Sequence, residues 1–263
     1  MAVTSMANSS LRDFQKFNNM GDAHQANFIA VQYLVLGGGS GGAAGSINVY
    51  SGSGGAAGVA RSGTSVTQRA RPQSLMVGAG SSGISRFNPV SGSGGSSSFS
   101  DNTATGGNGT ANSSRVGGTN NDFSGGGNPG GSNSGGGAGA GANGSSQTGG
   151  SGHVSAITGT SVTRGGGGGG AMLGVGGAGG GGRASTAGAG GGTNGDVNTG
   201  SGGGGGNHTW TAWNGGSGVV IFSLSSTAIV TFSAGVTQTS AVVGTNRVYT
   251  VTAAGPTDTM TIG

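Results

Sequence analysis

VQYLVLGGGSGG, residues 31–42, decides the fold. Val31 to Leu36 are strand-forming residues that run directly into a glycine block. Near the other end the order reverses: GGSGVVIF, residues 215–222, leaves glycine and re-enters an apolar, β-branched run. We read the two stretches as neighbouring strands, 31–36 and 218–223, that close one glycine-rich body. Between them, apolar runs punctuate a background of Gly, Ser, Asn, Ala and Thr: INVY at 47–50, SLMV at 74–77, HVSAI at 153–157 and AML at 171–173. The runs at 31, 74 and 171 share one grammar, an apolar stretch followed by glycines, which predicts a loose internal repeat of short strands feeding glycine segments.

Glycine makes up 69 of the 263 residues. Leu, Ile, Val and Phe together reach only about 16%, below the roughly 20% that marks disorder when net charge is high. Here the net charge is +4 and charged residues are 6%. Little apolar content with little charge suits a chain whose backbone makes most of the contacts. The runs Gly165–Gly170, Gly179–Gly182 and Gly202–Gly206 are poor helix or strand formers. Polyglycine II solves the problem. It has three residues per turn and a rise of about 3.1 Å, and its outward-pointing amides are free to pair with neighbouring helices. The fold class expected is therefore mostly β: short strands 31–36 and 218–223 closing a glycine-rich body with packed polyglycine II segments. A small C-terminal antiparallel β unit and one short N-terminal helix complete it. The domains are an N-terminal anchor segment 1–30, a glycine-rich domain 31–225 and a C-terminal β unit 226–263. In the last, IVTF, SAV, RVYTVTA and TMTIG alternate in β fashion between turns at Gly235, Gly244 and Gly255-Pro256. The span 100–150 is the least apolar and is expected to form long exposed loops.

The N-terminal helix is expected at SSLRDFQKF, 9–17, with a serine cap and apolar Leu11, Phe14 and Phe17 at i, i+3, i+6. A helix this short is marginal alone. We expect these three residues to dock, either on their own domain or as an anchor in a partner protein. The chain has no Cys, no apolar leader and no apolar run approaching about 18 residues. We expect a soluble protein with no cleaved signal and no membrane insertion.

The catalytic and cofactor motifs fail on context. GGGSGG at 37–42 fits G-x-G-x-x-G, but no helix signal follows it and no Asp lies between Asp22 and Asp101. The only Lys, Lys16, rules out a phosphate-loop lysine in the body. GGTNGD at 191–196 lacks the calcium-repeat order and is not repeated. His24, His153 and His208 have no metal-ligand spacing. Arg164 and Arg183 border glycine runs, yet the repeated arginine–aromatic interleaving of RNA-binding segments is missing. We expect no enzyme activity, cofactor, metal or nucleic-acid partner. The nine Arg are scattered, only Arg69 and Arg71 lying close together, which favours solvated or backbone-capping roles over an anion patch. Trp210 and Trp213 are the only tryptophans. They either plug the end of the body or offer a stacking platform for a host-surface glycan.

YLVLGGGSGG at 33–42, the glycine blocks and GGSGVVIF at 215–222 resemble the glycine-rich domain of bacteriophage tail fibres and related virion proteins. RVYTVTAAGPTDTMTIG at 247–263 is similar to a β element that usually accompanies such domains, most often ahead of them. The resemblance covers about 31–263. It implies a virion structural role, with similarity to phage adhesins that build polyglycine II sandwiches bearing receptor-binding loops. From it we expect a tail fibre or appendage component in the phage particle, anchored to other virion proteins through residues 1–30. We expect it to contact the host surface and to assemble as a homo-oligomer, a trimer being favoured. A capsid decoration or cement protein is the alternative.

Overall fold

A computed structural model describes residues 27–45, 52–84, 92–109, 116–126, 134–186, 191–207 and 211–263. The expected helix at 9–17 lies outside them. Their strands are β1 (Phe28–Leu36), β2 (Ala60–Gln68), β3 (Gln73–Met76), β4 (Ser97–Phe99), β5 (Asn102–Ala104), β6 (His153–Ser155), β7 (Val162–Arg164), β8 (Val219–Ser225), β9 (Val230–Phe232), β10 (Thr237–Val243), β11 (Asn246–Ala253) and β12 (Thr259–Ile262). The architecture is mostly β, with antiparallel sheets and no helix among the described residues.

The two bookend strands are neighbours. β1 pairs antiparallel with β8, from Leu36 opposite Val219 to Gln32 opposite Ser223. They sit inside a five-stranded sheet ordered β10-β11-β8-β1-β2. Side chains alternate between the two faces of a strand. One face therefore gathers Val31, Val35, Val220, Phe222, Leu224, Tyr249 and Val251. The other gathers Leu34, Leu36, Val219, Ile221 and Val248. Both faces of the central strands are buried, which is why these strands read as unbroken apolar runs.

A second five-stranded sheet, β5-β4-β3-β12-β9, covers the first face with Leu75, Phe99, Ala104, Met260 and Ile262. The interface is aromatic at its centre. Phe222 stacks on Phe99 at 5.2 Å and on Tyr249 at 5.0 Å between ring centroids. Residues 226–263 form antiparallel β structure, as expected, and contribute strands to both sheets. β10 and β11 widen the first, and β9 and β12 complete the second. Asp258 ties the turns of this region together, accepting hydrogen bonds from Ser233 Oγ at 2.6 Å and from the Gly255 amide at 2.7 Å. The Ser233 bond, then the Gly255 bond, hold its carboxyl below the ordinary aspartate range.

Beyond Leu36 the chain leaves the sheet and becomes a three-residue helix of glycine. Its hydrogen bonds carry the period. The amides of Gly37, Ser40 and Ala43 donate to the carbonyls of Val59, Ala56 and Ser53 in an antiparallel segment. The amides of Gly39 and Gly42 donate to Gly216 and Trp213 in another. The amides of Ser81 and Ile84 bond back to the Gly39 and Gly42 carbonyls, and those of Gly203 and Gly206 to Ser40 and Ala43. Gly38 bonds segments 92–96 and 104–109, its amide to Gly95 and its carbonyl from Gly107. Successive amides thus point about 120° apart, as three residues per turn demands. Segment 37–45 is buried throughout at the centre of this bundle.

Segment 165–170 has the same design. Gly167 and Gly170 donate to Gly150 and Gln147, while Gly168 donates to Gly55 and Gly169 to Gly182. The packed polyglycine II expected from composition is the body of the protein. Its segments approach so closely that a methyl group added at most body positions falls on a neighbour's carbonyl.

Two local expectations change. Ala171–Leu173 is a turn and not a strand, with Met172 at φ 66° and Leu173 at φ 82°. Within 100–150, the stretches 110–115 and 127–133 lie outside the described residues. Residues 117–118, 126 and 134–139 are glycine segments bonded into the body, with 134–140 buried, so this span is not simply exposed loop.

Candidate functional site

The glycine body has two different ends. One feeds the sheets, through Leu36–Gly37, Val59–Ala60 and Gly218–Val219. At the other end the chain turns back. There the Gly45 and Gly52 amides both donate to the Gly206 carbonyl. Ala212 donates to Ile84, the Asn207 amide to Ser185 Oγ, and Ala171 to Gly52. The described segment ends at 45 and 52, 84 and 92, 109 and 116, 126 and 134, 186 and 191, and 207 and 211 therefore share one level of the body. The connections between them all attach to this one face.

Two turns on the same face are described. Ser145 and Thr148 pair across one of them. The other is Ala171–Leu173. Gln147 clamps the two together: its Nε2 donates to the Ala171 and Met172 carbonyls, both at 2.8 Å. Left-handed backbone at a residue with a Cβ costs about 1–2 kcal/mol. In a chain so rich in glycine, two consecutive positive-φ positions hold Met172 and Leu173 instead. Leu173 is 70% exposed and Val175 59% exposed. Sequence reading missed this turn, because a short apolar run preceding glycines looks like a strand.

Trp213 is half-buried at this end. Its amide donates to Gly204 and its carbonyl accepts from Gly42, which fixes its backbone between two segments. The indole lies over Gly192, where any side chain would collide with it. Its Nε1 is buried with no acceptor among the described residues. Trp210, the other candidate glycan contact, lies outside the described residues, as do Leu11, Phe14 and Phe17.

The structure closes the phosphate-loop reading of GGGSGG. An anion at such a loop needs free amides. Gly37, Gly38, Gly39, Ser40 and Gly42 donate to the carbonyls of Val59, Gly95, Gly216, Ala56 and Trp213, and Gly41 donates to Ser81 Oγ. None is left for a ligand.

Several arginines act as backbone caps or in an exposed ion pair. Arg69 donates to the Gly263 carbonyl at 2.6 Å and Arg183 to the Gly191 carbonyl at 2.5 Å. Arg61 forms a two-pronged pair with Asp122, at 2.5 and 3.1 Å. The Asp122 hydrogen bond is the main reason that the Arg61 pKa rises further. An exposed pair of this kind contributes at most about 1 kcal/mol.

A family model described as a glycine-rich domain matches residues 22–225. No curated protein and no solved structure matches the chain.

Proposed function

We propose that this chain, which belongs to the glycine-rich domain family, is a phage virion structural protein, a tail fibre or appendage component. Its glycine body holds a loop-bearing face toward the host surface, and residues 1–30 join it to other virion proteins. The observation that carries this reading is the concentration of chain connections on one face of a backbone-packed block. Inside the body, side chains are mostly absent and the amides are spent on neighbouring carbonyls. Chemical variety is left to the connecting residues, which include Tyr50, Arg86, Phe87, Arg115 and Trp210. A rigid scaffold with changeable connections suits recognition.

The test uses particles carrying variants of the full chain. Replacing 85–91, SRFNPVS, with a glycine–serine stretch of equal length is expected to leave the melting temperature nearly unchanged and to lower host adsorption at least tenfold. Deleting residues 1–25 is expected to yield particles that lack the protein. Unchanged adsorption in the first case contradicts the host-contact role, and normal incorporation in the second contradicts the anchor.

A further inference from the structure

The chain passes into the glycine body from the Leu36 end of β1, the Ala60 end of β2, the Met76 end of β3 and the Ser97 end of β4. The opposite ends of these strands border a cleft of about 300 Å³, lined by Phe28, by Val66 and Gln68, and by residues 71–74 and 100–101. This volume lies at the lower limit of small-molecule sites and suits one ring better than a chain. The two far walls are tied together. The Ser100 amide donates to the Ser74 carbonyl at 2.9 Å, and Ser74 Oγ donates to the Ser100 carbonyl at 2.9 Å. Ser100 Oγ donates to Gln73 Oε1 at 2.9 Å, and Gln73 Nε2 donates to the Arg71 carbonyl at 3.2 Å. Ser100 sits at φ 53° in this arrangement. Left-handed backbone outside glycine is a strain that surrounding bonds must hold in place.

Two opposite charges line the cleft without neutralising each other. Arg71 and Asp101 are both exposed there. Neither side chain has a hydrogen bond or an ion pair among the described residues, whose ion pair is Arg61–Asp122. An oxyanion drawn to Arg71 meets the Asp101 carboxylate in the same cleft, and a cation drawn to Asp101 meets the guanidinium. A neutral hydroxyl uses both, donating to the carboxylate and accepting from the guanidinium. Such charge-assisted bonds are stronger than neutral ones. The sheet edge adds backbone groups, since β2 is the last strand of its sheet. The Arg69 amide donates to the Asn27 carbonyl, and along an antiparallel ladder residues bonded to the partner strand alternate with residues facing away. The main-chain groups of Val66 and Gln68 therefore point off the open edge, with no partner among the described residues. Phe28 and Pro72 supply ring surfaces against which the C–H face of a sugar packs.

We propose that this cleft binds a neutral sugar ring, with Asp101 accepting from its hydroxyls and Arg71 donating to them. Phe28 packs against the C–H face of the ring. The site stands at the end of the sheets remote from the glycine body, and it depends neither on the virion role nor on Trp213 at the loop face.

Calorimetric and NMR titration of the full chain test it, with glucose, galactose and N-acetylglucosamine as neutral probes and inorganic phosphate and alanine as charged ones. Saturable binding of at least one sugar is expected, with an affinity that changes less than about twofold between low and high salt, because the ligand carries no charge to be screened. Asp101→Ala and Arg71→Met are each expected to weaken that binding at least tenfold, while Arg183→Met, which alters a backbone cap elsewhere, leaves it unchanged. The proposal is overturned if none of the sugars binds, if phosphate or alanine binds as tightly, or if Asp101→Ala and Arg71→Met bind as the parent does. Sugar binding that survives both substitutions and moves the Trp213 indole resonance places the contact on the loop face and also overturns it. Should either variant fail to fold, the backbone amide resonances of Val66, Gln68 and Asp101 in the parent protein decide. They shift with the sugar titration if the assignment holds, and stay unchanged if it does not.

Discussion

Gly168→Ala is expected to destabilise the protein by more than about 3 kcal/mol, or to prevent folding, whereas Gly255→Ala leaves stability unchanged or slightly raised. A methyl group at Gly168 falls on the Gly203 carbonyl, 2.6 Å from its carbon, and lies 3.1 Å from the Gly55 nitrogen. Every obstacle there is backbone of a neighbouring segment, so no flexible side chain can move aside. At Gly255 the nearest atom is the Asp258 Oδ2, 3.6 Å away, an ordinary contact. There alanine mainly restricts the unfolded chain, an effect of about 0.4–1 kcal/mol in favour of folding.

The magnitudes explain why close packing matters so much. A backbone hydrogen bond contributes about 1 kcal/mol net. Ordering a glycine costs about 0.5–1 kcal/mol more than ordering alanine, on top of an ordinary backbone cost of about 1–2 kcal/mol. Hydrogen bonds alone therefore do not hold the body. Dense contact between bare backbones must add to them, and it is this contact that a single Cβ disrupts. Chemical denaturation of the two variants beside the parent reads the difference. Equal midpoints would contradict the packed body.

Phe222→Ala is expected to cost about 3–5 kcal/mol. Phe222 is fully buried on β8 between the two sheets. It stacks on Phe99 and Tyr249 and meets Phe232 at 6.2 Å. Phe99 belongs to the second sheet and Tyr249 to the first, so one truncation opens a cavity at the contact between them. Such aromatic pairs add about 0.5–1.5 kcal/mol beyond area burial. Phe222→Leu should cost less than half as much. A loss below about 1 kcal/mol for Phe222→Ala would mean that the sheets do not depend on this cluster. The glycine body and the aromatic core thus differ in kind. In one, adding a carbon is damaging, and in the other, removing carbons is.

The pairing of β1 with β8 was legible because both strands are buried on two faces and carry unbroken apolar runs. Polyglycine II was legible from runs that neither helix nor sheet accommodates well. Which glycine segment lies beside which was not. With few side chains, and those small, segments 37–45, 165–170 and 200–206 present similar surfaces, and their order in the bundle depends on the connections. Occasional polar residues help to set it, as where Ser81 Oγ accepts from Gly41, or where Asn120 Nδ2 donates to the Ala57 and Gly139 carbonyls. The second sheet was hidden for another reason. SSF in β4 and NTA in β5 are too short for alternation to emerge from a Ser- and Asn-rich background. The positive φ at Met172 and Leu173 leaves no trace in composition. That Arg164 Nη1 is buried with no partner among the described residues is a fact of three dimensions, and an arginine beside six glycines reads as an ordinary solvated charge.

Amide hydrogen exchange tests the central claim most directly, since it reads the backbone bonds that replace a side-chain core. The account predicts that the amides of Gly37–Gly42 and Gly166–Gly170 exchange as slowly as those of Leu34 and Ile221 in the central strands. Exchange at unstructured rates in the glycine segments, with β1 and β8 still protected, would show flexible linkers strung between sheets and would contradict it.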